Sequence, residues 1–433
     1  MLASVSRPAV VGRPVARTGS QRAVVAACIG NAAEWYDFAV YGAMATVLGW
    51  VFFPVRDMGS ALTAAFAAYG TALLVRPLGA VIFGRMGDRR GRRSVLVTVV
   101  LLMAGATGAV AFLPGYASIG LLAPLALMAL RATQGLAAGG ELGVAAVFIL
   151  EHAPDTRRGQ TGSWHIATMA LGIAAGMFVA GLLSWRFGAD GLVAGWWRVA
   201  FLLAIPLGVI GLLLRRRIAD TDQFTALRSS SRVLERPFRE LWRGHRARVA
   251  RGFCLLAAGS LAFNVFFIFL PNSVIQRHGA ALAPTMIVTA SALAVAAAAA
   301  VTLGRVSDRL GRRPVAIGGA ASVAVLAMPM LLLADSGSPA RLFIAQTAIA
   351  IAVAGVLSIA MVGELFPTPV RSSGLALTAG LATALIGGTA PWLGQVLVGL
   401  GAELAVGGYV TVVALLALIA LWKWPETAFV ALD

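Results

Sequence analysis

The sequence predicts an all-α membrane protein, with twelve transmembrane helices in two pseudo-symmetric six-helix bundles. Three observations carry that prediction. The 433 residues are 59% hydrophobic and 12% charged, with a mean hydropathy of +0.85, the composition of a chain that lives in a bilayer. Apolar runs of spanning length recur twelve times, and a tilted spanning helix needs roughly 17–25 residues. A ten-residue basic motif occurs twice, 220 positions apart, after the second and the eighth runs.

The runs lie at about 24–53, 60–83, 94–113, 120–150, 161–185, 195–214, 249–272, 282–303, 314–334, 340–363, 373–400 and 405–424. An even number of crossings puts both termini on one side. That side holds 28 of the 35 basic residues. The other holds Arg56, Arg186, Arg198, Arg277 and Arg341, and Arg76 and Arg131 lie within runs. By the positive-inside rule both termini are cytoplasmic, in a cell inner (plasma) membrane. The net charge of +17 and pI near 11.5 then follow from topology, and no nucleic-acid partner is expected.

Lys423 is the only lysine, so a Gly-rich phosphate loop with its lysine, and with it an ATP-driven pump, is excluded on this chain. Cys28 and Cys254 both fall at membrane depth, which favours packed thiols over a disulfide. Residues 1–22 resemble a targeting segment, but the run that follows is too long for a signal-peptide core and is expected to be retained. The expected organisation is a cytoplasmic tail (1–22), an N-terminal bundle (23–214), a cytoplasmic linker (215–247), a C-terminal bundle (248–424) and a short cytoplasmic tail (425–433).

The first run contains GNAAEWYDFAVY at 30–41. At about 100° per residue, Asn31, Glu34, Asp37 and Tyr41 fall within roughly 120° on one helix face. A central carboxylate costs roughly 2.5–3.5 kcal/mol on insertion scales, so this stripe should face a cavity or another helix. Of 18 acidic residues, only Glu34, Asp37 and Glu141 lie well inside runs. These three are the candidates for carrying a proton at membrane depth.

In the fourth run Arg131 sits about ten residues from the outer end, roughly 15 Å deep, with Gln134 and Glu141 continuing its side. Glu34 is expected at a similar depth, as the partner of Arg131. That leaves Asp37, one turn further outward, as the favoured proton carrier. Gly135, Gly139 and Gly143 form a ridge for close helix packing. Arg76 is expected to snorkel inward, and His165 to be a packing residue. In the second half Asn264 and Gln346 are the candidate neutral substrate contacts.

The duplicated motif reads GRMGDRRGRR at 84–93 and GRVSDRLGRR at 304–313, identical at seven of ten positions. A second pattern, E-x-x-P-x-x-x-R, runs from Glu151 to Arg158 and again from Glu364 to Arg371. Repeats of this kind around a central site suit alternating access. With GNAAEWYDF, RPLGAVIFG, RATQGLAAGGELG, ELFPTPVRSSG and GGTAP, these motifs resemble the major facilitator superfamily, specifically its metabolite:proton symporter branch, from about Gly30 to Glu426.

The resemblance implies the major facilitator fold and proton-coupled uptake of a small organic acid or zwitterion. It implies no cofactor and no metal, and a functional monomer in a lipid bilayer. The signatures look like a cytoplasmic gate built from Gly84, Asp88, Arg89, Gly91 and Arg92 and from Gly304, Asp308, Arg309, Gly311 and Arg312. Asp88 and Asp308 can cap the N-termini of the eleventh and fifth helices, in the opposite half. Arg89, Arg92, Arg309 and Arg312 can pair with Glu151 and Glu364, while Arg158 and Arg371 close the second pattern.

The chain departs from the branch at Asn264, where a tyrosine is expected, and at Ala379 and Thr383, which stand for Tyr and Asn. Its tail is too short for the coiled coil of some osmolyte carriers. Two alternatives are a drug–proton antiporter, whose G-P-x-x-G-G signature Gly172–Gly176 lacks, and a transporter-like sensor, which has no need of duplicated gates. No nucleophile triad or metal-ligand spacing suggests an enzyme.

Overall fold

The structure, a computed structural model, describes residues 17–90, 92–151, 153–216, 241 and 243–430. Among these residues every regular element is helical. Helix α1 (Arg17–Ala43) breaks at Met44 and resumes as Ala45–Phe52. It is followed by α2 (Met58–Arg90), α3 (Arg92–Phe112), α4 (Leu122–Glu151) and α5 (Arg158–Gly191). Helix α6 comes in two pieces, Trp197–Leu202 and Ala204–Arg216. The second half comprises α7 (Arg246–His278), α8 (Leu282–Leu310), α9 (Arg312–Ala334), α10 (Pro339–Gly363), α11 (Arg371–Gly399) and α12 (Glu403–Trp422).

Among the described residues, eight stretches are long and apolar enough to cross a membrane. One of them, Asp155–Leu213, holds both α5 and α6; α1, α3 and α4 complete twelve spans. Leu101, Phe112, Leu125, Val325, Leu416 and Ile419 are exposed on these spans. Water would penalise them, whereas lipid tails accept them. At helix crossings small residues replace large ones. A Cβ at Gly135 or Gly139 would collide with the α2 backbone at Ala72 or Arg76, so this ridge presses α4 directly on α2.

Three runs that read as continuous in the sequence are interrupted. Helix α7 contains a π-turn at Val265–Phe269, α11 contains another at Thr383–Gly387, and α10 breaks at Leu357 and Ser358. Each break frees backbone groups that need partners in a dry environment. The Gln346 amide of α10 donates to the Phe266 carbonyl in the α7 π-turn at 2.9 Å. The Ser358 hydroxyl accepts from the Met361 amide.

The two halves touch on both faces of the molecule. On the arginine-rich face α5 and α8 meet at Gly159 and Gly304, where a Cβ on either would strike the other's carbonyl at 2.7 Å. On the opposite side Asn272 donates to the Gly42 carbonyl at 2.9 Å, and a Cβ at Gly59 would lie 3.1 Å from Gln276 Nε2. At mid-depth Tyr69 donates to Asn264 Oδ1 across the same divide at 3.1 Å. Contacts above and below a buried centre describe an occluded conformation.

Candidate substrate and proton site

Helices α1, α2 and α4 bring two carboxylates and two arginines into one dry cluster. Arg76 Nη2 lies 2.9 Å from Glu34 Oε1, and Arg131 Nη1 lies 3.4 Å from Asp37 Oδ2. All four side chains are buried. This pairing corrects the sequence expectation in two ways. Glu34 pairs with Arg76 and not with Arg131, and Arg76 does not snorkel. The Arg76 guanidinium instead sits over the Trp35 and Phe38 rings, 5.0 and 4.6 Å from their centroids. A desolvated cation gains from a ring face as well as from its carboxylate, and both hold Arg76 inward.

The two pairs differ in how tightly they are held. Glu34 and Arg76 form a normal charged hydrogen bond. The Asp37–Arg131 contact is long, and Asp37 Oδ1 makes no hydrogen bond among the described residues. Among the described residues Arg131 Nε and Nη2 also lack acceptors, and the guanidinium lies 3.8 Å from the Tyr41 ring centroid. Tyr41 itself is fixed by its hydroxyl, which donates to the Ala65 carbonyl at 3.1 Å. A buried ion pair with unused donors and an unused acceptor is costly.

The remaining predicted residues divide. Gln134 is fully buried and donates to the Thr107 hydroxyl at 2.8 Å. Asn31 turns to α5, donating to the His165 carbonyl and the Thr168 hydroxyl at 2.8 and 3.1 Å, so its amide joins helices and not the charged cluster. Asn264 sits just before the α7 π-turn, bonded to Ser260 and Tyr69. Gln346 supports that same turn from α10. The Glu141 side chain lies outside the described residues.

On the arginine-rich face the second signature forms a connected network. Asp308 accepts from the backbone amides of Gly159 and Gln160, both at 2.8 Å, at the first turn of α5. This carboxylate meets the positive end of a helix from the other half. Arg312 joins Asp308 at 2.7 Å and Glu364 at 3.3 Å. Glu364 also reaches across the halves to Arg158 at 3.4 Å. Arg371 donates to the Phe366 carbonyl, and Arg309 lines a surface crevice with Thr156, Arg157, Gln160 and Arg305. Gly91 and the side chains of Asp88, Arg89, Arg92 and Glu151 lie outside the described residues, as does the Gly84 environment.

Glu426 belongs to neither sequence motif, yet it ties the C-terminal segment to this network. Its carboxylate accepts from the amides of Arg312 and Arg313 at 2.8 and 3.1 Å and from Thr427 and Ala428 at 3.0 Å. It thus caps α9 while the Thr427 hydroxyl bonds Glu364. Gly311, at φ 105°, turns the chain into α9 where a Cβ would strike Glu426. The available signal was an acid directly after the last apolar run. Burial opposes ionisation of Glu426, but the amide donors outweigh it and hold its carboxyl below the usual 4.5. A lowered folded pKa gives stability that is complete above the ordinary value and fades as pH falls through the lowered one. Glu426→Gln is expected to destabilise the detergent-solubilised protein by about 0.5–1 kcal/mol near neutral pH. Melting curves should show the difference shrinking on acidification; a difference constant down to pH 3 would contradict the clamp.

Comparison with known proteins adds the following. A Major Facilitator Superfamily model matches residues 25–286, and a sugar (and other) transporter model matches 218–433. The glycine betaine/proline/ectoine/pipecolic acid transporter OusA of Dickeya dadantii (strain 3937) is 32% identical over 430 residues, covering 94% of this chain and 84% of that protein. The alpha-ketoglutarate permease of Escherichia coli (strain K12) is 31% identical over 408 residues, covering 92% of each. Among solved structures, a D-xylose-proton symporter superposes with a TM-score of 0.74 at 18% identity, covering 95% of this chain and 99% of that one.

Proposed function

Because this chain belongs to the major facilitator superfamily, and is a membrane transporter and not an enzyme, we propose that it takes up a small carboxylate-bearing metabolite together with a proton by alternating access. The substrate class is an organic acid or a zwitterion. The observation that carries the proposal is the loose, dry Asp37–Arg131 pair between α1 and α4. Similarity to carriers named for betaine and proline and for alpha-ketoglutarate supports the same class.

The pair couples the two ligands through charge. A proton on Asp37 removes the partner of Arg131 and leaves a buried guanidinium uncompensated. A substrate carboxylate restores the balance, through the planar fork that suits bidentate binding. Without the proton, Asp37 competes for that fork. Each ligand therefore strengthens the other's binding, which is what symport requires of a site. Glu34 and Arg76 hold the neighbouring helices in place, and Asn264 of the other half connects to the pair through Tyr69, whose ring stacks on Tyr41 under Arg131.

The arginine-rich face is the cytoplasmic one by the positive-inside rule, in a cell inner membrane with both termini inside. Residues 23–214 and 248–424 form the two rocking bodies, and one chain supplies both sides of the path, so the monomer is the working unit. The Asp308 cap and the Glu364–Arg158 bridge hold the cytoplasmic side shut and must break as it opens. A hydrogen bond to a charged group is worth roughly 1.5–3 kcal/mol, so Asp308→Asn should shift the population toward inward-open by at least about tenfold. Labelling of a cysteine placed at the cytoplasmic mouth measures that shift; unchanged labelling with normal uptake would remove the gate. The function itself is tested by uptake of labelled betaine, proline and 2-oxoglutarate with and without a protonophore. Protonophore-insensitive uptake of every compound taken up would contradict it.

A further inference from the structure

The N-terminal bundle contains a cavity of about 40 Å³, lined by α1, α3, α4 and α6. Its wall on α1 carries Asp37, Glu34 and Gly30, and on α6 Gly208 and Gly211. From Asp37 to Gly30 is seven residues, roughly 10 Å of helix toward the arginine-rich face. A water needs roughly 10–15 Å³ of such space and two to four polar partners, so by volume the cavity has room for about three. Partners stand at its deep end: Thr107 lines it, and Asp37, 2% exposed, has its Oδ1 free of any hydrogen bond among the described residues. Elsewhere the wall is Val99, Val100, Met103 and Ala138, which contribute no competing charge.

We propose that this cavity is a proton passage separate from the substrate path, connecting Asp37 to the cytoplasm through the interior of the N-terminal bundle. The inference rests on Asp37 as the proton carrier. In the step itself the O–H bond of the Asp37 acid breaks, the proton passes to a water in the cavity, and the carboxylate that remains is taken up by Arg131. The proton then moves from water to water past Glu34 and Gly30. The substrate leaves between the two halves, through the gate at Asp308 and Glu364. Two exits let the proton depart without crossing the released substrate.

Gly211 provides the means of testing this. Among the described residues a Cβ there meets nothing within 4 Å, whereas one at Gly208 would press on Ala104. Gly211→Leu therefore fills the passage without forcing helices apart, and Gly211→Ser leaves it wet. The experiment uses the full chain in proteoliposomes with the substrate it transports, recording substrate-coupled proton flux and substrate counterflow side by side. Gly211→Leu is expected to lower proton flux by about tenfold, the consequence of a dry apolar stretch in a proton's way, with counterflow within about twofold of wild type. Gly211→Ser should keep both. Val100→Phe, from the opposite wall, should repeat the Leu result and covers the case in which Gly211→Leu folds poorly. Wild-type proton flux in a plugged variant that still exchanges substrate overturns the passage. So does parallel loss of flux and counterflow in both plugs. Asp37→Asn measured alongside keeps the two claims apart: coupled flux persisting there overturns the carrier assignment, while a plug without effect beside an uncoupled Asp37→Asn overturns the passage alone.

Discussion

Asp37→Asn is expected to abolish uphill accumulation, bringing internal substrate down to equilibrium with the medium, while counterflow continues. Asparagine keeps the shape of the side chain and can still accept from Arg131, but it has no proton to load or release. Exchange needs no net proton transfer, so it survives. Both variants leave an arginine without its counter-ion, but Glu34→Gln breaks the tighter pair, a 2.9 Å charged hydrogen bond against the long 3.4 Å contact of Asp37, and leaves Arg76 unbalanced beside Trp35 and Phe38. Breaking a buried pair at one partner costs about 3–5 kcal/mol, so this variant should lose expression and stability as well as transport. Accumulation ratio, counterflow and the yield of folded protein distinguish the two. A protonophore-sensitive gradient in Asp37→Asn would pass the role to Glu141.

Arg131→Lys is expected to weaken substrate binding by about 100-fold, near 2.7 kcal/mol. Lysine preserves the charge, so Asp37 keeps a counter-ion and the fold should hold. It lacks the second in-plane donor and does not stack on Tyr41 as the guanidinium does. Binding should therefore fall more than stability. Arg131→Gln removes the charge too and should bind no measurable substrate. Equilibrium binding to purified protein, beside a melting curve, separates the effects; near wild-type affinity in Arg131→Gln would show that Arg131 serves only to balance Asp37.

The architecture was legible because its signals are long and redundant. Twelve apolar runs, an arginine bias and two copies of a ten-residue motif all point to the same bundle pair, and the buried charges stood out by their rarity. Which acid meets which arginine was not legible, because pairing depends on where each helix actually ends. Helices α1, α2 and α4 each tilt and pack differently, so residue counts along the apolar runs do not fix which acid lies level with which arginine; the structure sets Glu34 against Arg76 and Asp37 against Arg131. Depth also says nothing of rings, and Trp35 and Phe38 together with Glu34 keep Arg76 from reaching for water.

Interruptions of the helices were hidden for another reason. The π-turns at Val265–Phe269 and Thr383–Gly387 leave the hydropathy of α7 and α11 unchanged. The departures at Asn264 and Thr383 fall at those turns, so a change of residue type there accompanies a change of backbone path. Glu426 escaped notice because its partners are backbone amides, which no side-chain motif records.

Proton movement with the substrate through Asp37 is tested most directly by pH recording. Purified protein in proteoliposomes, with no imposed gradient, is given substrate from outside while the external pH is followed. The account predicts alkalinisation of the medium on addition of substrate to wild type, abolished by protonophore, and no pH change for Asp37→Asn under conditions where its counterflow is intact. Substrate entry into wild-type vesicles without alkalinisation, or the same alkalinisation in Asp37→Asn, would contradict it.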